Sequence, residues 1–269
     1  MRRGVRTVGL ATGALLAAAS VALAGGGYEI KSDSETLTEM TTGGMNIKCP
    51  QGSAVVGGGF FLDGEVSRRI NGAFPSSQRK FVVTGSNTDG TGTFELFGTA
   101  VCDDDGDFGI KDKDRAVDSG TTKTVKARCP DGSTVSGGGF RLQDGDLALL
   151  SSYPAGSRKW AVRAQNGGLN TASVFAFAIC DLDGSSYTIE KQTKAPPPVR
   201  KPRGINADVN LKPKCKGGLE PSGGGFKTKG IGSARAVMSL PDDDLWKVEI
   251  ATYAGKALEM TGYAVCGSG

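Results

Sequence analysis

Histidine is missing altogether from the 269 residues. Its absence excludes Ser-His-Asp and Cys-His relays and imidazole metal ligands. Aromatic residues are scarce at 7%, and apolar residues reach only 38%, so the core such a chain can bury is limited. Beyond the first two dozen residues no stretch shows an apolar period of 3.6, and helix is therefore expected to be rare. An excess of one charge is lacking too. The formal net charge is +4, but Arg2, Arg3 and Arg6 lie in residues 1–24 beside no acid, and without them it falls to +1. A near-neutral chain gives no general argument for nucleic acid or a membrane as partner.

What the chain has in excess is glycine, 42 residues, roughly twice the usual share, and it is arranged in a repeat. CPQGSAVVGGGF starts at Cys49, CPDGSTVSGGGF at Cys129 and CKGGLEPSGGGF at Cys215. Each copy ends on Ala-Val-Cys or Ala-Ile-Cys, at Cys102, Cys180 and Cys266. Between these ends the copies share a glycine triplet followed by phenylalanine: Gly57–Gly59 with Phe60, Gly137–Gly139 with Phe140, and Gly223–Gly225 with Phe226. A proline comes next (Pro75, Pro154, Pro241), then an aromatic that opens an apolar segment (Phe81, Trp160, Trp246). Repeats of this kind set the architecture before any local feature does.

The start of the chain reads as a secretory signal over 1–24. It has a basic beginning, an apolar stretch from Val8 to Ala19, and small residues before a cut at Ala24-Gly25. The stretch is too short and glycine-rich for a membrane span. Arg2-Arg3 lacks the flanking residues of a twin-arginine signal. Export favours disulfides, and the repeat register selects Cys49–Cys102, Cys129–Cys180 and Cys215–Cys266 from the pairings that six cysteines permit. Each would close a loop of a size that contributes roughly 4 kcal/mol on loop-closure entropy.

Alternation of period two marks the segments of each copy as strands. Met45/Ile47/Cys49, Val125/Ala127/Cys129 and Val209/Leu211/Cys215 share an inner face, and Asn46/Lys48, Lys126/Arg128 and Lys212/Lys214 occupy a mostly basic outer one. Val174 to Cys180 is apolar on both faces and suits a central strand. The expected fold is all-β: three tandem antiparallel modules of about five short strands, each closed by one disulfide, with a pseudo-threefold β-prism as the alternative. The boundaries are repeat 1 over 25–110, repeat 2 over 111–190, a basic proline-rich linker over 191–204, and repeat 3 over 205–269.

Three features invite a chemical reading. The glycine triplet lacks the following helix and Lys-Ser/Thr pair of a phosphate loop, and reads instead as a bulge or a close approach of backbone. Asp103-Asp104-Asp105-Gly106-Asp107 and Asp181-Leu182-Asp183-Gly184 miss the calcium-loop spacing and read as polar turns. Asp242-Asp243-Asp244 is not repeated in the other copies and reads as a solvated turn. No catalytic residue, metal site or cofactor is expected. For ligand binding the candidates are Phe74, Tyr153, Pro75 and Pro154, around the proline of the first two copies.

The pattern C-P-x-G-x-x-V-x-G-G-G-F, then Pro, then Trp-x-Val, then Tyr/Phe-Ala-Val/Ile-Cys resembles a module of exported actinobacterial proteins of unknown function. Cys129 to Cys180 matches it best. Repeat 3 departs at Lys216 and Pro221, and repeat 1 has Phe81 for Trp. The resemblance spans nearly the whole chain after the signal. It implies export and supplies no catalytic residue. The threefold arrangement is more weakly similar to the β-prism of the vitelline membrane outer layer protein, which implies three sheets in a three-sided column. The function expected is that of a secreted, non-catalytic structural or cell-surface-associated protein, the alternative being an extracellular lectin-like or inhibitory binding module. Its partners would be cell-envelope polymers, or an extracellular glycan or protein.

Peptide mapping of unreduced protein is expected to recover three bridges, each within one repeat. A bridge between repeats, or a free thiol in the exported form, would refute the pairing.

Overall fold

The structure is a computed structural model. It describes residues 21–22, 27–63, 68–88, 92–104, 106–143, 146–195, 205–229, 233–253 and 259–268. The signal segment, apart from Val21–Ala22, lies outside the described residues, as do its cleavage point and linker residues 196–204. All regular structure among the described residues is strand, and no helix there is long and apolar enough to cross a membrane.

Repeat 1 forms β2 (Tyr28–Leu37), β3 (Thr42–Lys48), β4 (Ala54–Leu62), β5 (Arg68–Ser77), β6 (Lys80–Asn87) and β7 (Phe94–Asp103), after a two-residue β1 (Val21–Ala22). Repeat 2 forms β8 (Phe108–Val117), β9 (Thr122–Arg128), β10 (Thr134–Gln143), β11 (Leu147–Pro154), β12 (Lys159–Asn166) and β13 (Ala172–Asp181). Repeat 3 forms β14 (Thr188–Lys194), β15 (Ile205–Leu211), β16 (Glu220–Lys229), β17 (Ser233–Asp242), β18 (Leu245–Tyr253) and β19 (Glu259–Gly267). Each repeat therefore has six strands, one more than expected. The addition is the first: β8 and β14 are edge strands, β2 has only the two-residue β1 outside it, and all three are of mostly polar sequence with little burial. The first four residues of the expected linker, Lys191–Lys194, belong to β14.

The repeats are not separate bundles. Every sheet is built from halves of two repeats, all antiparallel, in a pseudo-threefold prism. Sheet A runs β1-β2-β7-β4 from repeat 1, then β17-β18-β15 from repeat 3. Sheet B joins β8, β13 and β10 of repeat 2 to β5, β6 and β3 of repeat 1. Sheet C joins β14, β19 and β16 of repeat 3 to β11, β12 and β9 of repeat 2. The halves meet along short seams, at Phe60↔Ser239, Phe140↔Ala73 and Phe226↔Ser152. β13, apolar on both faces, lies between β10 and β8 as its sequence demands.

The disulfides are Cys49–Cys102, Cys129–Cys180 and Cys215–Cys266, with Cα atoms 5.6, 5.5 and 5.6 Å apart, within the ordinary range. Each is local to one repeat, yet each ties two sheets, because its first cysteine follows a strand of one sheet and its second ends a strand of the next. Together they link B to A, C to B and A to C.

The glycine triplets account for the close packing. Each opens on a bulge, between Val55 and Gly57, Val135 and Gly137, or Pro221 and Gly223. The first glycines of β4, β10 and β16 meet around the axis. A Cβ on Gly57 would strike the backbone of Ser222 and Gly223, one on Gly137 that of Val56 and Gly57, and one on Gly223 that of Ser136 and Gly137. The second glycine receives an aromatic ring, with Phe81 against Gly58, Trp160 against Gly138 and Trp246 against Gly224. The third meets the neighbouring repeat's strand at the seam: Gly59 at Ser239, Gly139 at Ala73, Gly225 at Ser152. Two hydroxyls run around the axis as well. Ser136 Oγ donates to the Val56 carbonyl at 3.1 Å and Ser222 Oγ to that of Ser136 at 2.8 Å, both fully buried.

The ring over the second glycine is matched to its acceptor. Trp160 Nε1 donates to Ser152 Oγ, and Trp246 Nε1 to Ser239 Oγ, each at 2.9 Å in the core. Repeat 1 has Phe81, with no N–H, and the corresponding residue is Ala73. Ser152→Ala is expected to leave the Trp160 N–H buried without a partner and lower the unfolding free energy by about 1–3 kcal/mol. In repeat 1, adding Ala73→Ser to Phe81→Trp should recover stability that Phe81→Trp alone loses. Denaturant melts of the oxidised protein check both.

Candidate functional site

The outer faces of the three seams carry the exposed part of the recurring side chains. Phe74, on β5, is half-buried and stacks on Phe177 with centroids 4.9 Å apart. The Arg141 guanidinium lies over it at 5.6 Å and over Phe175 at 4.1 Å. Tyr153, on β11, stacks on Tyr263 at 5.4 Å and has Lys227 Nζ 5.2 Å from its ring centre. Phe74 thus belongs to the face of sheet B and Tyr153 to that of sheet C, and they do not share a site. Pro75 and Pro154 are buried within strands, paired with Phe81 and Trp160. They sit beyond the seam contacts, where a strand needs no N–H on its second side.

At corresponding places the three faces differ in chemistry. Sheet A presents Ser32, Ser34, Phe61, Phe97, Asp63 and Glu95, with Phe61 stacked on Phe97 at 5.6 Å. Sheet B presents Asp112, Asp114, Arg141, Phe175 and Phe177. Sheet C presents Lys191, Thr193, Lys227, Thr261 and Tyr263, with Lys229 and Glu259 one rung further along. On that face these residues line an open groove of about 210 Å³. Lys229 Nζ is 3.6 Å from Glu259, and the Thr193 and Thr261 hydroxyls are bonded at 3.0 Å. Burial, with Tyr153 and Glu259 adding to it, pushes the Tyr263 phenol above its usual range, so it remains a neutral donor. Of the ligand-binding candidates of the sequence, Tyr153 stacks on Tyr263 beside this groove without lining it. Lys191 was assigned to the linker, and Tyr263 was hidden in an apolar strand. Comparing the residue three before each closing cysteine (Thr99, Phe177, Tyr263) is the signal that finds it.

The second and third acidic clusters lie at turns, whereas Asp103 of the first ends β7 and Asp105 lies outside the described residues. Asp181 Oδ1 accepts from the N–H groups of Asp183 at 2.9 Å and Gly184 at 3.1 Å. Asp242 pairs with Lys247 at 2.7 Å and Asp244 with Lys214 at 2.5 Å, while Asp243 takes the left-handed conformation at the hairpin tip, φ 50°. Among the described residues no group of three or more His, Cys, Asp or Glu is placed to hold a metal ion. The void at the prism axis is only about 10 Å³, room for one water at most.

At one end of the prism Tyr28 and Tyr187 lie together near Asp103, Asp181 and Glu220. Burial pushes the Tyr28 phenol up to about 12; the Tyr187 hydroxyl works against the shift and the three carboxylates add to it. Tyr187 is raised by burial and by Tyr28.

A scan against models of known protein families gives no match to this chain, and a search of curated protein sequences gives none either.

Since Tyr28 titrates higher in the folded chain than in the unfolded one, its contribution is fully present below about pH 10 and is lost as pH climbs through about 12. Melting temperature is expected to fall across that window, and Tyr28→Phe to make the fall shallower. Thermal melts in thiol-free buffer at stepped alkaline pH check this.

Proposed function

We propose that this protein is an exported, non-catalytic structural component of the extracellular space or cell surface. The observation that supports this reading best is the covalent closure of the prism. Three disulfides tie its sheets pairwise, in a chain whose apolar content is modest. Such stapling suits an oxidising compartment and limits the local opening through which proteases act. The secretory character of residues 1–24 and the resemblance to modules of exported actinobacterial proteins point the same way. The sequence also lacks the histidine on which most hydrolytic relays depend. Strand exchange adds to durability, because no repeat holds a whole sheet and all three must come apart together.

The oxidised protein is expected to survive a broad-specificity protease at least about tenfold longer than the reduced protein, and to unfold in a single transition. Residues 106–190 expressed alone should not fold, since both halves of repeat 2 then lack the strands they pair with. Equal digestion in both redox states, separate transitions for the repeats, or turnover of a glycan or peptide by the purified protein would overturn the reading.

A further inference from the structure

The groove on sheet C is a built feature. β14, β19 and β16 run side by side there, and strands in a sheet lie about 4.8 Å apart. One rung holds Lys191, Tyr263 and Gly225, and the next Thr193, Thr261 and Lys227. The glycine leaves a gap in the first rung, and Tyr153 leans across it from the neighbouring repeat to stack on Tyr263. The result is a pair of tyrosine rings between two lysines, with threonine hydroxyls beside them. Lys191 and Lys227 are exposed and make no ion pair among the described residues, whereas Lys229 is neutralised by Glu259.

The other two faces lack this combination at matching positions. Ser32 and Asp112 replace Lys191, and Phe61 and Arg141 replace Lys227. On sheet B, Arg141 already covers the aromatic rings, and two aspartates lie alongside. Among the described residues, sheet C alone joins half-buried tyrosine rings to two exposed lysines without an acidic partner, with Lys227 Nζ 5.2 Å from the Tyr153 ring centre.

From this geometry we infer that the sheet C groove binds an acidic sugar chain. A pyranose ring presents an apolar face suited to the tyrosines. Its carboxylate or phosphate group pairs with Lys191 and Lys227, and its hydroxyls meet the Tyr263 phenol and Thr193, whose hydroxyl is held by the buried Thr261. Lysine serves here as a point charge on a flexible stem, which suits an acid group whose position varies from one sugar unit to the next. The inference stands apart from the structural role, since a groove of this kind would bind its sugar whatever task the prism performs.

The test is calorimetric titration of the oxidised full-length mature protein with tetragalacturonic acid, beside its fully methyl-esterified counterpart, which keeps the rings and loses the charge. Glucose 6-phosphate and inorganic phosphate are run in parallel. The acid is expected to bind at least about tenfold tighter than the ester. The double variant Lys191→Gln/Lys227→Gln should weaken binding by about tenfold or more, and so should Tyr263→Thr. Threonine is the residue repeat 1 carries at that position, Thr99, so this variant keeps the fold, and an unchanged melting temperature verifies it. Lys126→Gln, an exposed lysine on β9 in the other half of the same sheet, should leave binding intact. Binding of glucose 6-phosphate in the same groove supports the inference with phosphate as the acid. Four results overturn it: no heat from any acidic sugar, equal binding of acid and ester, inorganic phosphate binding as tightly as the sugars, or Lys126→Gln costing as much as the groove variants.

Discussion

The backbone-to-backbone approach of β4, β10 and β16 along the axis is the constraint on which the prism rests. Three strands from three repeats come so close that the first glycine of each triplet touches the next repeat's chain. A methyl group there would meet backbone, which cannot move aside without separating the sheets. The other two glycines extend the same requirement outward, one beneath an aromatic ring and one at the seam. Large side chains then fill the space between the axis and the corners. Phe60 and Phe140 pack edge to face at 5.9 Å, and Trp160, Trp246 and Phe81 are fully buried. The disulfides then tie each sheet to the next.

Differences among the repeats follow from the same geometry. Tryptophan is accompanied by serine at its acceptor position in repeats 2 and 3, and phenylalanine by alanine in repeat 1. The ring and its partner come from adjacent strands of one hairpin, so each repeat solves this pairing locally. Lys216 stands where the other copies have Pro50 and Pro130, yet the turn survives, because that position contributes only its carbonyl, which accepts from Leu219 as those of Pro50 and Pro130 accept from Ser53 and Ser133. The glycine two places on carries the demanding backbone conformation in every copy: Gly52 at φ 96°, Gly132 at 86° and Gly218 at 78°.

Much of this was legible in the amino acids. Alternation at Met45/Ile47 and Val125/Ala127 marked the inner faces, the apolar run at Val174–Cys180 marked a central strand, and the cysteine register marked the bridges. Which repeat each strand pairs with was not legible. A strand such as β5 shows the same alternation whether it pairs with its own repeat or with β10 of the next, because period two records which face is buried and nothing of the neighbour's identity. The first strand of each repeat escaped for another reason. Lys111 to Ala116 is exposed throughout, and charge along an edge strand guards against unwanted pairing while erasing the apolar signature. The groove residues were hidden in the same way, since Lys191 looked like part of a solvated spacer and Tyr263 like core.

Strand exchange also fixes when the molecule can be finished. Sheet A pairs β4 of repeat 1 with β17 of repeat 3, and sheet C needs β19, which follows all the other strands in the chain. A nascent chain therefore has no closed sheet column to settle into until β19 has been made. That delay leaves the polypeptide threadable until then, and a bridge that ties two sheets reaches its final setting only as the column forms.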